Sequence, residues 1–393
     1  MSRIAFLTSR PMFNTGGNIY LMNVIDGLVK HGHEVELHTI ATDLLAGKKY
    51  GLLEIPPGID IIYMSKLKRI AKARWYETFK GGMKIWEMAF TLKNLNKYDY
   101  VVFCDDMAFS VIPLARKYGT KTIALIHHLR ERNFGQYADC VVNGENPSLF
   151  WLRKIGCGFL GGVDYVVAVS SYWKEKLQKE RCARAKSIYV IQNGIDPNFF
   201  NEHSDISTFK RKYGLENRFV IMTGVFDEGR GIETILDVVE EMSRATLLVT
   251  GRWTLNKKWE KKIISRIKRL EKERKFIWTG ILPWNEYKSA ILASDAVALL
   301  SLYEEGWGRI LHEGALAGKP LITTGLGGMK EIAESTSSWI IEPGDLVELK
   351  ATIENINNLT DKELEKIREK NYQWATKYTW ENTIKKWNIL VTN

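Results

Sequence analysis

The sequence predicts an α/β fold of two doubly wound parallel-sheet units, and three observations carry that prediction. Short apolar, β-branched runs alternate with longer stretches of helical spacing. The alternation occurs twice, on either side of a turn-rich polar segment. The chain, 393 residues with 45% hydrophobic and 26% charged content, is too long for a single compact core.

The first set of runs is Ile4–Thr8, Glu34–Ile40, Ile59–Tyr63, Tyr100–Cys104, Lys121–Ile126, Tyr165–Ser170 and Ser187–Gln192. Between the first two lies Asn18–His31, where Ile19, Met22, Val24, Ile25 and Leu28 form one apolar helical face. The segment Asn193–Asn217 follows, with the turn pairs Asn193-Gly194 and Asp196-Pro197 and a short polar helix expected over Ile206–Tyr213. It reads as a hinge. The second set comprises Phe219–Thr223, Thr246–Thr250, Lys275–Thr279, Ala296–Leu300, Pro320–Thr324 and Trp339–Ile341. The expected domains are 1–200, 201–370 and a closing helix over 371–393.

No apolar run approaches the roughly 18 residues of a membrane span, and the first residues lack the pattern of a signal peptide. A soluble or at most surface-bound protein in the cytoplasm is expected. The four cysteines, Cys104, Cys140, Cys157 and Cys182, are too scattered for a disulfide framework or a C-x-x-C site and read as core thiols. Net charge is +10, of which residues 1–196 carry +9. Within that half, Lys66–Lys84 interleaves seven cations with Leu67, Ile70, Trp75, Tyr76, Phe79 and Met83. Two readings fit it: a cationic amphipathic helix for an anionic membrane surface, peripheral at the inner membrane surface, or a surface helix with its apolar side on the core. Lys257–Lys275 is equally basic but mixed with Glu260, Glu271 and Glu273, and reads as a solvated helix.

Three motifs are excluded by context. Gly156-Cys-Gly158-Phe-Leu-Gly161 spells a dinucleotide fingerprint, but a helix-like stretch precedes it and a strand follows, the reverse of what pyrophosphate binding requires. Gly314-Ala-Leu-Ala-Gly318-Lys319-Pro320 is one residue short of a P-loop and has Pro where magnesium needs a hydroxyl. Asp105-Asp106 lacks a third ligand, so no metal is expected.

The segment after Ala296–Leu300 is different. It reads Ser301-Leu-Tyr-Glu-Glu305-Gly306-Trp307-Gly308-Arg309-Ile-Leu-His-Glu313. Gly306 and Gly308 permit a tight turn, and a helix from about Arg309 points its positive end at the same place, an anion cradle at the carboxyl end of a parallel strand. Glu305 and Glu313 bracket the cradle. Carboxylates there suit sugar hydroxyls rather than phosphate, and a nucleotide sugar supplies both groups.

These residues, with Gly16-Gly17, Val169-Ser170-Ser171, Asn193-Gly194-Ile195-Asp196, Gly325-x-Gly327-Gly328-x-x-Glu331 and the Trp380 helix, make the chain resemble the retaining glycosyltransferases of GT-B fold, family 4, over nearly its whole length. The resemblance implies two Rossmann-like domains facing across a cleft: an amino-terminal acceptor domain and a carboxyl-terminal nucleotide-sugar domain. It also implies a last helix returning to the first domain. It places Glu305 against the donor sugar, Glu313 on the ribose, Gly16 and Gly17 on the diphosphate together with the turn Gly306-Trp307-Gly308 and Arg309, and His127 (or the adjacent His128) near the anomeric carbon. Of the family's two diphosphate cations Arg230 is present, and Val225 has replaced the other, leaving Arg252, Arg309 or Lys319 to compensate. The implied activity is metal-independent hexosyl transfer, with retention, from a nucleotide-diphosphate sugar to a glycan or lipid-linked acceptor. No cofactor is involved. A sugar-nucleotide epimerase or a phosphorylase shares the architecture, and a basic nucleic-acid-binding protein is the non-enzymatic alternative, against which the glycine-rich cradles argue.

Overall fold

A computed structural model describes residues 1–8, 15–39, 59–63, 92–109, 111–127, 159–179, 187–201, 205–254 and 256–392. The segment Lys66–Lys84, His128, Cys140, Cys157, Cys182 and the first half of the Gly156–Gly161 motif, 156–158, lie outside these residues. The chain divides into two compact units, Met1–Gly194 with Trp380–Asn393, and Ile195–Thr379.

The first unit is built on seven strands: β1 (Arg3–Leu7), β2 (Glu34–Thr39), β3 (Asp60–Tyr63), β4 (Tyr100–Phe103), β5 (Lys121–Ile126), β6 (Tyr165–Ala168) and β7 (Ile188–Val190). They lie in the order β3-β2-β1-β4-β5-β6-β7, every neighbour parallel. The near-continuous apolar runs follow from this: a parallel sheet covered on both faces buries successive side chains, and Tyr100–Phe103 is buried throughout. One face packs on α1 (Gly16–Lys30) and on the chain's last helix, Trp380–Thr392, through Tyr20, Ile25, Leu28, Trp387 and Leu390. A Cβ on Gly27 would lie 2.4 Å from Ile384, so the glycine is what lets these two helices approach. The Trp387 indole donates to Tyr20 Oη (2.7 Å), which itself donates to the Ile191 carbonyl (3.1 Å).

The second unit holds six strands: β8 (Phe219–Thr223), β9 (Ala245–Thr250), β10 (Phe276–Gly280), β11 (Ala296–Leu299), β12 (Leu321–Thr323) and β13 (Ser338–Ile340). Their order is β10-β9-β8-β11-β12-β13, again all parallel. Much of the segment read as a hinge lies inside this unit. Helix Ile206–Tyr213 forms as expected, capped by Asp205 at its start and by Gly214 (φ 63°) at its end, and buries Phe209. Among the described residues no helix is long and apolar enough to cross a membrane.

In each sheet the strand order reverses between the first and fourth strands, β1/β4 and β8/β11. The loops leaving those strands part there, and ligands bind at such points in open α/β sheets.

Candidate active site

In the second unit the reversal point gathers most of the residues singled out from the sequence. The loop after β8 ends in a turn of 3₁₀ helix, Glu228–Arg230, and brings Arg230 to Glu305 on the loop after β11. Arg230 Nη1 is paired with Glu305 Oε1 and donates weakly to Ser301 Oγ (3.4 Å), while Ser301 Oγ donates to the same carboxylate oxygen (2.6 Å). Ser301 is fully buried, and its carbonyl accepts from Thr324 Oγ1 (2.7 Å). The Arg230 guanidinium also lies over the Tyr303 ring at 5.3 Å. Burial works against its charge, but Glu305, Tyr303 and Asp227 outweigh that and hold its pKa above the usual arginine value. Arg230 Nε is buried without a hydrogen-bond partner.

Glycines fix the backbone around this pair. Gly231 (φ 67°) packs so closely on the end of β11 that a Cβ would sit 2.1 Å from the Leu300 carbonyl oxygen. Gly327 (φ 69°) bridges to Glu305, and a Cβ there would meet the Glu305 carbonyl oxygen at 2.4 Å and its nitrogen at 2.6 Å. Gly328 N donates to the Glu305 carbonyl (2.8 Å). The Gly-x-Gly-Gly run therefore holds Glu305 in place.

The second carboxylate, Glu313, sits on helix Arg309–Leu316 and is 3% exposed. Its two oxygens accept from Arg309 Nε (2.7 Å) and Tyr287 Oη (2.5 Å). Burial, with Glu313 adding to it, raises the Tyr287 pKa well above its usual value, so the phenol stays a donor. Arg309 in turn lies over the Trp284 ring at 5.6 Å, and Trp284, although 47% exposed, is held edge-on by Tyr287 and Phe199. Gly308 takes φ 89° and begins the helix, whose first N–H groups face the cradle. Gly306 is buried in the turn.

Two of the expected residues sit differently from what the sequence suggests. The Trp307 side chain lies in the core: it is 3% exposed, stacked on Trp374 (6.0 Å, 21°), and donates to His312 Nδ1 (3.1 Å), because the turn at Gly306 and Gly308 sends this large side chain inward. Lys319 does not stand in for the cation absent at Val225. It is half-buried, donates to the Leu292 and Ser294 carbonyls (2.7 Å each), and its loss of solvation lowers its pKa to about 8. Arg252 lies 3.9 Å from Asp227 on the loops beyond β8 and β9, and Arg309 has a buried Nη1 without a partner. Both remain at the right end of the sheet.

In the first unit Gly16 and Gly17 are the first turn of α1 itself rather than a loop ahead of it, with Thr15 as N-cap accepting from Asn18 N (3.4 Å). His127 follows β5 directly. Its ring lies 3.6 Å from where a Gly17 Cβ would be, and edge-on to Tyr20 at 5.1 Å. The glycine turn and the histidine thus come together. Asp105, also at this reversal point, accepts from Thr8 Oγ1 (2.9 Å) and caps the short helix after β4 through Ala108 N (3.0 Å), a structural role. No cluster suited to a metal ion occurs among the described residues. Ser301, Tyr287 and Trp284 were missed by sequence reasoning. Only the apolar-aromatic spacing Trp284-x-x-Tyr287 on a helix after β10 hinted at the last two.

Comparison with known proteins bears on the family and the fold. Residues 14–199 match the family model described as Glycosyltransferase Family 4, and residues 205–374 the model described as Glycosyl transferases group 1. An uncharacterised glycosyltransferase of Methanocaldococcus jannaschii is 22% identical over 347 residues, covering 84% of this chain and 82% of its own. Among solved structures, Anabaena HepE in complex with UDP and glucose superposes with a TM-score of 0.78 at 19% identity over the full length of both chains. Sucrose-phosphate synthase of Thermosynechococcus elongatus gives 0.78 at 17% identity, covering 100% of this chain and 98% of its own. The fold is GT-B.

Proposed function

Since this chain belongs to the group 1 glycosyltransferases, we propose that it moves a hexosyl unit from a nucleoside-diphosphate sugar to a glycan or lipid-linked acceptor, with retention of anomeric configuration. The observation that carries the reading is the paired arrangement in the second unit: Arg230 with Glu305, and Arg309 with Glu313, on either side of the Gly308 helix start. The nucleotide's ribose takes the remaining lone pairs of Glu313, whose orientation Tyr287 and Arg309 fix. The diphosphate lies at the first N–H groups of helix Arg309–Leu316 and draws Arg230 toward its oxygens. Glu305, relieved of that partner and still held by Ser301, accepts from sugar hydroxyls.

In the first unit, the N-terminal turn of α1 presents the Gly16 and Gly17 backbone N–H groups to an anion, with the His127 ring beside them. Leaving-group charge grows as the glycosidic bond breaks, so cations and helix termini stabilise the transition state more than the bound donor. They supply the positive potential that a divalent ion supplies elsewhere, and we expect turnover without one. The UDP bound in HepE makes uridine nucleotides the first donors to try. NMR of the first-formed product from an α-linked donor tests the reading: an α-linked product supports it, and a β-linked product or loss of activity with chelator contradicts it.

A further inference from the structure

The helix Lys257–Lys272 is amphipathic in a way the donor site does not use. Trp259, Ile263, Ile267 and Leu270 are buried beneath it, and its opposite side is lined by lysine. Lys261, Lys262, Lys268 and Lys272 are exposed on one arc of the helix and enter no ion pair among the described residues. Of the acids in this region, Asp237 and Glu240 pair with Arg266, Glu260 with Lys257 and Glu273 with Arg269. Charge is correspondingly segregated. Residues 257–275 carry ten Lys and Arg against three Glu, a net +7, whereas the whole of 195–379 carries 27 against 28, so the remainder of the unit is −8.

We propose that this lysine face docks the second unit on an anionic lipid surface. Sixteen helical residues extend about 24 Å, so the four ammonium groups are strung along a line rather than convergent, and no small anion could touch them together. A plane of headgroups can. Lysine suits such a plane: it is a compact point charge without the bidentate fork that selects individual phosphates. Arg266 and Arg269, the helix's cations with that geometry, are turned to Asp237, Glu240 and Glu273. The face also carries no aromatic ring among its lysines on which a nucleic-acid base could stack. The acidic remainder orients the unit with this helix toward negative potential.

Co-sedimentation of the full chain with vesicles of 30 mol% phosphatidylglycerol in phosphatidylcholine, at about 0.05 M salt, where screening is weak, tests this. Each basic residue near the surface contributes on the order of fivefold. The variant K261Q/K262Q/K268Q/K272Q should bind at least roughly 100-fold more weakly with its thermal midpoint unchanged. The equally neutralised control K330Q/K362Q/K366Q/K370Q should bind like the unsubstituted protein. Equal loss in both variants, unchanged binding of the first, no vesicle binding by the unsubstituted protein, or tighter capture by a single-stranded oligonucleotide than by vesicles would each overturn the proposal. Vesicle binding is read without donor or acceptor, so a failure here leaves the transferase reading standing, and a failure of that reading leaves this one.

Discussion

The two units share a sheet order and differ in what stands at the reversal point. In the first, β1 and β4 end in Thr8 and Asp105, which bond each other and a short helix, and what is left open is the glycine turn of α1 with His127 against it. In the second, β8 and β11 end in loops bearing Arg230, Glu305, Ser301 and, one helix turn on, Arg309 and Glu313. Among the described residues the first offers mainly backbone and one imidazole, and the second a network of partly buried charge. A common scaffold therefore fixes where a ligand can bind, and the loops decide which chemistry meets it.

The sharpest way to break this contrast is at Glu305. Replacing it with Gln leaves the partly buried Arg230 without its counter-charge and weakens the proposed acceptor for sugar hydroxyls, and kcat should fall by about 10²–10³. A change at Thr8, Thr8→Val, removes a structural hydrogen bond and should leave kcat within about twofold while lowering stability by about 1 kcal/mol. Equal kinetic effects at the two positions would erase the distinction.

Backbone constraint differs as well. Gly327→Ala forces a Cβ into the Glu305 backbone at a positive φ and should cost about 2–4 kcal/mol together with activity. Gly17→Ala meets only ordinary contact with the His127 ring and should change stability by less than about 0.5 kcal/mol. Thermal unfolding of the two variants compares them directly.

Much of this was legible in the sequence because parallel strands buried on both faces write themselves as apolar runs. The observed strands fall within one or two residues of the expected ones, and α1 begins two residues earlier because Thr15 caps it. The proximity of Glu305 and Glu313 to a glycine turn was legible in the residues themselves, whereas Arg230, Gly16 and Gly17 were singled out only through the resemblance to GT-B glycosyltransferases. Ser301 and Tyr287 were not legible, since a serine at a strand end and a tyrosine on a helix acquire meaning only when the fold sets them 2.6 Å and 2.5 Å from a carboxylate. Trp307 misled because adjacency to Gly306 and Gly308 says nothing about which side of the turn an indole takes. Its partners, His312 five residues on and Trp374 in a distant helix, lie in the core.

Each unit also buries a neutral histidine, which gives a smaller, shared effect. Burial lowers the pKa of His38 and of His312 to about 4, in the second case against a hydrogen bond to the Ala375 carbonyl that favours the charged form. Unfolded histidine takes up its proton near pH 6.5, so the unfolded state binds more protons than the folded one between about 6.5 and 4. Stability must fall as pH falls through that window, by up to about 3 kcal/mol per histidine at its lower end. His312→Gln should flatten the decline between pH 6.5 and 5 for the second unit's transition, measured by thermal unfolding, and His38→Gln that of the first. A midpoint independent of pH over that range would contradict the burial of both rings.

The central claim is that the charged reversal point of the second unit binds the nucleotide, and calorimetric titration with UDP, GDP and ADP tests it most directly. One of the three should bind the unsubstituted protein, and Glu313→Gln should weaken that binding by about 1–3 kcal/mol, the worth of hydrogen bonds to a charged acceptor. Tyr287→Phe should weaken it less, because it removes the residue that orients the carboxylate and not the carboxylate itself. No binding of any nucleoside diphosphate, or binding that Glu313→Gln leaves unchanged, would contradict the claim.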